Sequence, residues 1–172
     1  MEHAVLGESG IRVSRLALGM AFRGQLDEDV MEATVARALD RGVTFLDTAN
    51  DYGRIPSDPY GGPSERALGR AIAGHRHEVV ISTKVGFELR PGPSDSGGSR
   101  RHIMREIERS LGNLGTDHVD IYLLHRRDPT TAMEDTVRTM IDVVRQGKAR
   151  AWGICNYLAW EGATALQIAN RL

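Results

Sequence analysis

The sequence predicts an α/β protein built on a parallel sheet of (β/α)-barrel type, with about five strands after an N-terminal hairpin. Three observations predict it. Short apolar runs alternate with amphipathic stretches at helical spacing, in five strand-then-helix units roughly 30 to 40 residues apart. Four of the runs give out at Asp47, Lys84, His125 and Asn156, as expected where parallel strands end on one face and each lends a side chain to a common pocket. The turn after the first strand, Gly19-Met20-Ala21-Phe22-Arg23-Gly24, lacks the G-x-G-x-x-G spacing of a doubly wound dinucleotide-binding sheet, so the barrel fits better.

In chain order, Ala4-Val5-Leu6 and Ile11-Arg12-Val13 flank Gly7-Glu8-Ser9-Gly10 and predict a hairpin. Arg15 to Leu18 predicts the first core strand, closing at Gly19-Met20, where a glycine lets the backbone approach a neighbour closely. From Asp27 to Asp40 a helix is expected to turn Val30, Thr34, Val35, Ala38 and Leu39 inward and to stop at Arg41-Gly42. Val43 to Leu46 is strand two, and residues 53–62, with Pro56, Pro59 and glycines, are a loop.

Pro63-Ser64-Glu65 opens the next helix, through Ala67, Leu68, Ala71 and Ile72 to Gly74. Strand three is Val79 to Thr83, and residues 86–98, rich in Gly, Pro and Ser, predict a lid or pocket wall whose one aromatic is Phe87. Ile103, Ile107, Leu111 and Leu114 mark a helix before strand four, Val119 to Leu124. Thr131-Ala132-Met133-Glu134 reads as a capping box, opening a helix with Val137, Met140, Ile141 and Val144 inside; Met140 is expected in the core. Strand five is Ala151 to Ile154, ending at Cys155-Asn156, and Trp160 to Leu172 is helical in pattern. No linker or low-complexity tract divides the 172 residues, so 1–172 is expected to form one domain.

Composition sets limits on function. With 26% charged residues, a formal net charge of −1 and no basic run, nothing draws the chain to nucleic acid or an acidic membrane surface. A single cysteine, Cys155, cannot form an internal disulfide and favours a reducing compartment. No membrane span or signal peptide is evident, and the expected location is cytoplasmic.

The residue types at the strand ends suggest carbonyl chemistry. A phenol titrates near pH 10 in isolation, and a lysine ammonium within about 4 to 6 Å favours the phenolate, which makes tyrosine a usable acid. Tyr52, in the loop after strand two, is that phenol and Lys84 that ammonium, with Asp47 as the anion that keeps Lys84 charged and aimed. His125 then donates to a substrate oxygen, and hydride must come from a cofactor, since no side chain supplies it. Taken singly, each residue has a plainer reading: Asp47 a cap, Lys84 a solvated strand end, Tyr52 a loop residue, His125 a core histidine and Cys155 a small buried hydrophobe. Asp47 and His125 also suggest two metal ligands, but no further ligands sit at other strand ends, so no metal is expected.

Several motifs, read together, are specific: Gly42-Val43-Thr44-Phe45-Leu46-Asp47-Thr48-Ala49 with Tyr52-Gly53, Ser64-Glu65 with Leu68-Gly69, Ser82-Thr83-Lys84, Asp120-Ile121-Tyr122-Leu123-Leu124-His125, Gly147-Lys148 and Gly153-Ile154-Cys155-Asn156. In this order they resemble the aldo-keto reductases, nicotinamide-dependent enzymes of TIM-barrel type. The resemblance implies a carbonyl reductase acting on a small aldehyde, ketone or sugar, with NADP(H) rather than NAD(H) as cofactor. It implies Tyr52 as general acid/base, Lys84 and Asp47 as its supports and His125 orienting the carbonyl. It also implies cofactor contacts at Gly19, Met20, Asp47, Cys155 and Asn156, with Phe87 as a wall of the substrate pocket. Cys155 stands where the family commonly has serine and is the weaker donor.

Length is the main departure, since a typical barrel needs roughly 250 residues. The chain matches the first five of eight βα units, without those carrying most of the family's adenosine-phosphate grip. Open sheet edges invite self-association. A half-barrel serving as an assembly or binding module is therefore the alternative expectation.

Overall fold

The computed structural model describes residues 1–22, 27–54, 61–89, 92 and 95–172. Expectations placed on residues 23–26, 55–60, 90, 91, 93 and 94, among them Arg23, Gly24, Pro56 and Pro59, lie outside the described residues.

Strands β1 (His3–Val5) and β2 (Arg12–Ser14) pair antiparallel, Ala4 opposite Val13, as the expected hairpin shifted by one residue. Ser14 ties it to the rest of the molecule. Its Oγ accepts from the amides of Thr44 (3.0 Å) and Phe45 (3.1 Å) and donates to the Leu16 carbonyl (2.6 Å), satisfying main-chain groups where a core strand begins.

Five strand-then-helix units follow: β3 (Ala17–Gly19) and α1 (Glu28–Asp40), β4 (Phe45–Asp47) and α2 (Pro63–Ala71), β5 (Val80–Val85) and α3 (Arg100–Leu114), β6 (Val119–Leu124) and α4 (Met133–Arg145), β7 (Ala149–Ile154) and α5 (Ala159–Ala169). The strands lie in one sheet in sequence order, every neighbouring pair parallel, and each helix packs on the next. This is the α/β sheet predicted, since a parallel pair requires a crossover and the intervening amphipathic segment supplies it. Among the described residues no helix is long and apolar enough to cross a membrane.

Alternation along β5 separates core from site. Ile81 and Val85 are buried in the sheet–helix core with Leu46, Ile103, Ile107, Leu124 and Met140, while Ser82 and Lys84 turn to the opposite face. Each such apolar side chain contributes about 1.5–3 kcal/mol by leaving water. Helix α2 clamps the back of the sheet. Glu65 accepts from Thr83 Oγ1 (2.6 Å) and Asn113 Nδ2 (2.9 Å), and burial pushes its carboxyl upward despite those bonds. Gly69 permits the close crossing of α2 on α3, because a Cβ there would stand 2.8 Å from the main chain of Asn113 and Leu114.

Three expectations are corrected. On α1 the buried residues are Met31 and Val35, and Val30 is 44% exposed. The neighbouring stripe, Glu28 and Glu32, is drawn instead to Arg66 and Arg70 of α2, which rotates Val30 outward. The capping box of α4 does not form. Ala132 is the cap residue, and the Thr131 hydroxyl donates to Asp128 (2.6 Å), a charged acceptor preferable to a helix amide. Lys84 lies within β5 rather than beyond it, because β6 extends the pairing to Lys84 opposite Leu123 and Val85 opposite Leu124.

Candidate active site

The sheet's register gathers the strand ends. Gly19 is opposite Asp47, and Asp47 opposite Ser82, so the last residue of β4 lies beside the chain leading to Lys84. The Lys84 ammonium, on a residue 5% exposed, donates to Asp47 Oδ2 (2.7 Å), the Thr48 carbonyl (2.7 Å) and the Tyr52 hydroxyl (3.2 Å). Its three protons thus have three acceptors, which fixes its direction. The ammonium also stands 4.5 Å from the centre of the Tyr52 ring. Ser82 Oγ donates to the other Asp47 oxygen at 2.5 Å, so the carboxylate is held from both sides.

Tyr52 is carried by a turn after β4, where its amide donates to the Ala49 carbonyl (3.1 Å) and Gly53 takes φ 74° against Pro63. His125 follows β6 directly, its amide bound to the Val85 carbonyl (2.7 Å). Its ring meets Tyr52 at 5.6 Å between centroids and Phe87 at 4.6 Å, both near-perpendicular. The four predicted residues Asp47, Tyr52, Lys84 and His125 therefore share one site, and Phe87 packs against its histidine. Arg126 covers the outer face of Phe87, its guanidinium 5.1 Å from the ring centre.

The residues predicted to touch a cofactor are spread along the same edge. Gly19 has open space where a Cβ would point, which suits the close approach of a flat ligand to the main chain. Met20 has little to offer beside it: its side chain is buried in the core, its amide donates to the Asp47 carbonyl (2.8 Å) and its carbonyl accepts from Ser64 Oγ (2.8 Å). Asn156, at φ 56°, donates through Nδ2 to the His125 carbonyl (2.7 Å), leaving its amide oxygen to accept from a carboxamide NH2. The Cys155 thiol points at the carbonyls of Leu124 and His125, 3.4 Å from each, and burial pushes its pKa upward, making it a weaker acid, although Lys84 opposes this. Gly19 and Asn156 thus fit a nicotinamide better than Met20 and Cys155 do. Among the described residues no group of three or more His, Cys, Asp and Glu could hold a metal ion.

Two members of the site were not foreseen. Ser82 was legible in principle, because residues two apart on a strand share a face and Ser82 precedes Lys84 by two. Asp51 was not. Its Oδ1 lies 3.2 Å from His125 Nδ1, a contact between segments more than 70 residues apart that no local pattern announces.

Comparison with known proteins agrees with this arrangement. The aldo/keto reductase family profile matches residues 15–169. The chain is 37% identical over 163 residues to the L-glyceraldehyde 3-phosphate reductase of Escherichia coli, covering 91% of this chain and 46% of that protein. It is 39% identical over 174 residues to a rice protein, from Oryza sativa subsp. japonica, named "Probable voltage-gated potassium channel subunit beta", covering 100% of this chain and 52% of that one. In three dimensions it is similar to the aldo-keto reductase AKR11C1 of Bacillus halodurans in its holo form, with TM-score 0.78 and 29% identity over 90% of this chain and 50% of that one. The chain spans about half the length of the curated relatives it matches. A profile covering every strand of the parallel sheet and every α-helix, over a sheet that brings Asp47, Tyr52, Lys84 and His125 together, makes the chain a member of the aldo/keto reductase family.

Proposed function

We propose that the chain, as a single domain, reduces a small aldehyde, ketone or sugar to the alcohol, using NADP(H) rather than NAD(H). One observation carries this reading: a buried ammonium, held by Asp47 and Thr48, donates to the Tyr52 hydroxyl at 3.2 Å. A phenol so placed is a proton donor whose conjugate base is stabilised in advance.

The roles follow from the contacts. Tyr52 gives its proton to the carbonyl oxygen as negative charge develops there. Lys84 stabilises the phenolate left behind, and Asp47, itself held by Ser82, keeps Lys84 in place. His125, walled by Phe87 and Tyr52, orients the carbonyl. A reduced nicotinamide, when bound, supplies the hydride. Gly19, Asp47 and Asn156 would hold its ribose and carboxamide end. The free Cys155 thiol suits a reducing, cytoplasmic setting.

Coverage of about half the relatives' length favours a second reading, that of a non-catalytic assembly or binding module, and the rice relative is named as a subunit of a larger assembly. Self-association through the edges of the sheet belongs to either reading. One experiment separates them: titration of NADPH by fluorescence, with solution mass from light scattering, followed by NADPH oxidation with aldehydes, ketones and sugars. Saturable binding and aldehyde-dependent oxidation support the reductase. A folded chain without NADPH binding supports the module.

A further inference from the structure

His125 Nδ1 and Asp51 Oδ1 are both buried, and neither makes a well-formed hydrogen bond among the described residues. They lie 3.2 Å apart, close enough to bond but off the line that a good hydrogen bond requires. Two buried polar atoms with only each other in reach make a pair. His125 has little freedom to escape it, because its ring packs against Tyr52 and Phe87 in T-shaped contacts and its amide is bound to Val85. Asp51 precedes Tyr52, so one turn presents both an acid to the substrate and a carboxylate to the histidine.

The consequence concerns the imidazole's two nitrogens. An ionised carboxylate only accepts, so it is satisfied by Nδ1 only if Nδ1 carries a proton. A neutral imidazole protonated at Nδ1 has a lone pair at Nε2, which repels a carbonyl oxygen. His125 can then donate from Nε2 only as the imidazolium, with Asp51 as its counter-ion.

We propose that Asp51 is a positioning residue that fixes the proton of His125 on Nδ1, so that the histidine meets a carbonyl oxygen as a cation paired with Asp51. The other charged or ionisable groups around the ring are Tyr52 and Lys84 on one side, Arg126 behind Phe87, and Cys155 behind the main chain of His125; none of them bonds Nδ1. The consequence for substrate rests on the reductase reading. The location of the proton does not.

The test is ¹⁵N NMR of the His125 ring in the 172-residue chain, assigned by loss of its signals in His125→Gln, and compared with Asp51→Ala and Asp51→Asn. Wild type is expected to show a protonated Nδ1, alone or as the imidazolium, and Asp51→Ala to move the neutral form to Nε2–H. Asp51→Asn, which keeps an accepting oxygen without the charge, should retain Nδ1–H but populate the imidazolium at least tenfold less at a given pH near neutrality. A wild-type ring that is neutral with its proton on Nε2, or an Nδ1–H population unchanged in Asp51→Ala, overturns the proposal. If Asp51→Ala does not fold, the wild-type and Asp51→Asn spectra decide. Because the measurement needs no turnover, an inactive chain would count against the reductase reading and leave this one standing.

Discussion

The ammonium of Lys84 and the hydroxyl of Tyr52 are 3.2 Å apart although the two residues come from different structural units, one from the end of a buried strand and one from a turn. That pairing makes the turn chemically dependent on the strand.

Replacing Tyr52 by Phe removes the proton donor and leaves the ring contacts with His125 and Lys84 in place. The hydroxyl acts on the transition state, so kcat should fall by about a thousandfold or more while NADPH affinity stays within about twofold. Steady-state kinetics with a fluorescence titration checks this; equal losses of binding and rate would contradict the assigned role.

Lys84→Met acts on the fold as well. The side chains of Lys84 and Asp47 are 7% and 29% exposed, so removing the ammonium leaves a half-buried carboxylate with Ser82 as its remaining side-chain partner. Stability should drop by about 2–3 kcal/mol, less than for a fully buried pair, together with loss of turnover. Urea denaturation measures the first, and a variant as stable as wild type would show the pair to be energetically idle.

Asp128 predicts an acid-sensitive loop. Burial opposes its ionisation but is outweighed by the hydroxyls of Thr130 and Thr131 and the amides of Gly98 and Thr130, which hold its carboxyl well below the usual range. A carboxyl depressed by folding contributes stability that is complete above its unfolded value of about 3.9 and is lost as pH falls through that value toward the folded one. Asp128→Asn should therefore cost about 1–2 kcal/mol at pH near 7, with the gap to wild type clearly narrower at about pH 2. Urea melts at both values test it, and a gap independent of pH would remove the carboxylate from the explanation.

Tyr122 is fully buried, and its hydroxyl has no partner among the described residues. Burial, reinforced by Glu65 and Glu106, pushes that phenol well above its ordinary range. Tyr122→Phe removes an unsatisfied polar atom without changing the ring, and should stabilise the chain by about 1 kcal/mol, or about 2–4 °C in Tm. Calorimetry showing a loss of stability would mean that the hydroxyl has a partner after all.

Much of the fold was legible because its signals are local. Val119 to Leu124 is a strand from its composition, and Gly42 ends α1 as expected, at φ 77°. The meeting of Asp47, Lys84 and His125 was legible one level up, since strands in parallel register bring their ends to one face. What escaped was settled between segments. Nothing near Val30 tells that Glu28 and Glu32 will be claimed by Arg66 and Arg70, and nothing near Thr131 tells that Asp128 will take its hydroxyl. Asp51 looked like a turn residue because its partner, His125, is brought to it only by the completed sheet.

Lys84 is held in β5 opposite Leu123 of β6, whereas the turn bearing Asp51 and Tyr52 is tied to the main chain by longer bonds: the Asn50 amide to the Lys84 carbonyl (3.3 Å), the Tyr52 amide to Ala49 (3.1 Å) and the Ser64 amide to the Tyr52 carbonyl (3.4 Å). Segments so lightly tethered open locally before the molecule melts. Warming should thus silence catalysis several degrees before circular dichroism registers any loss of helix, and the activity should return on cooling.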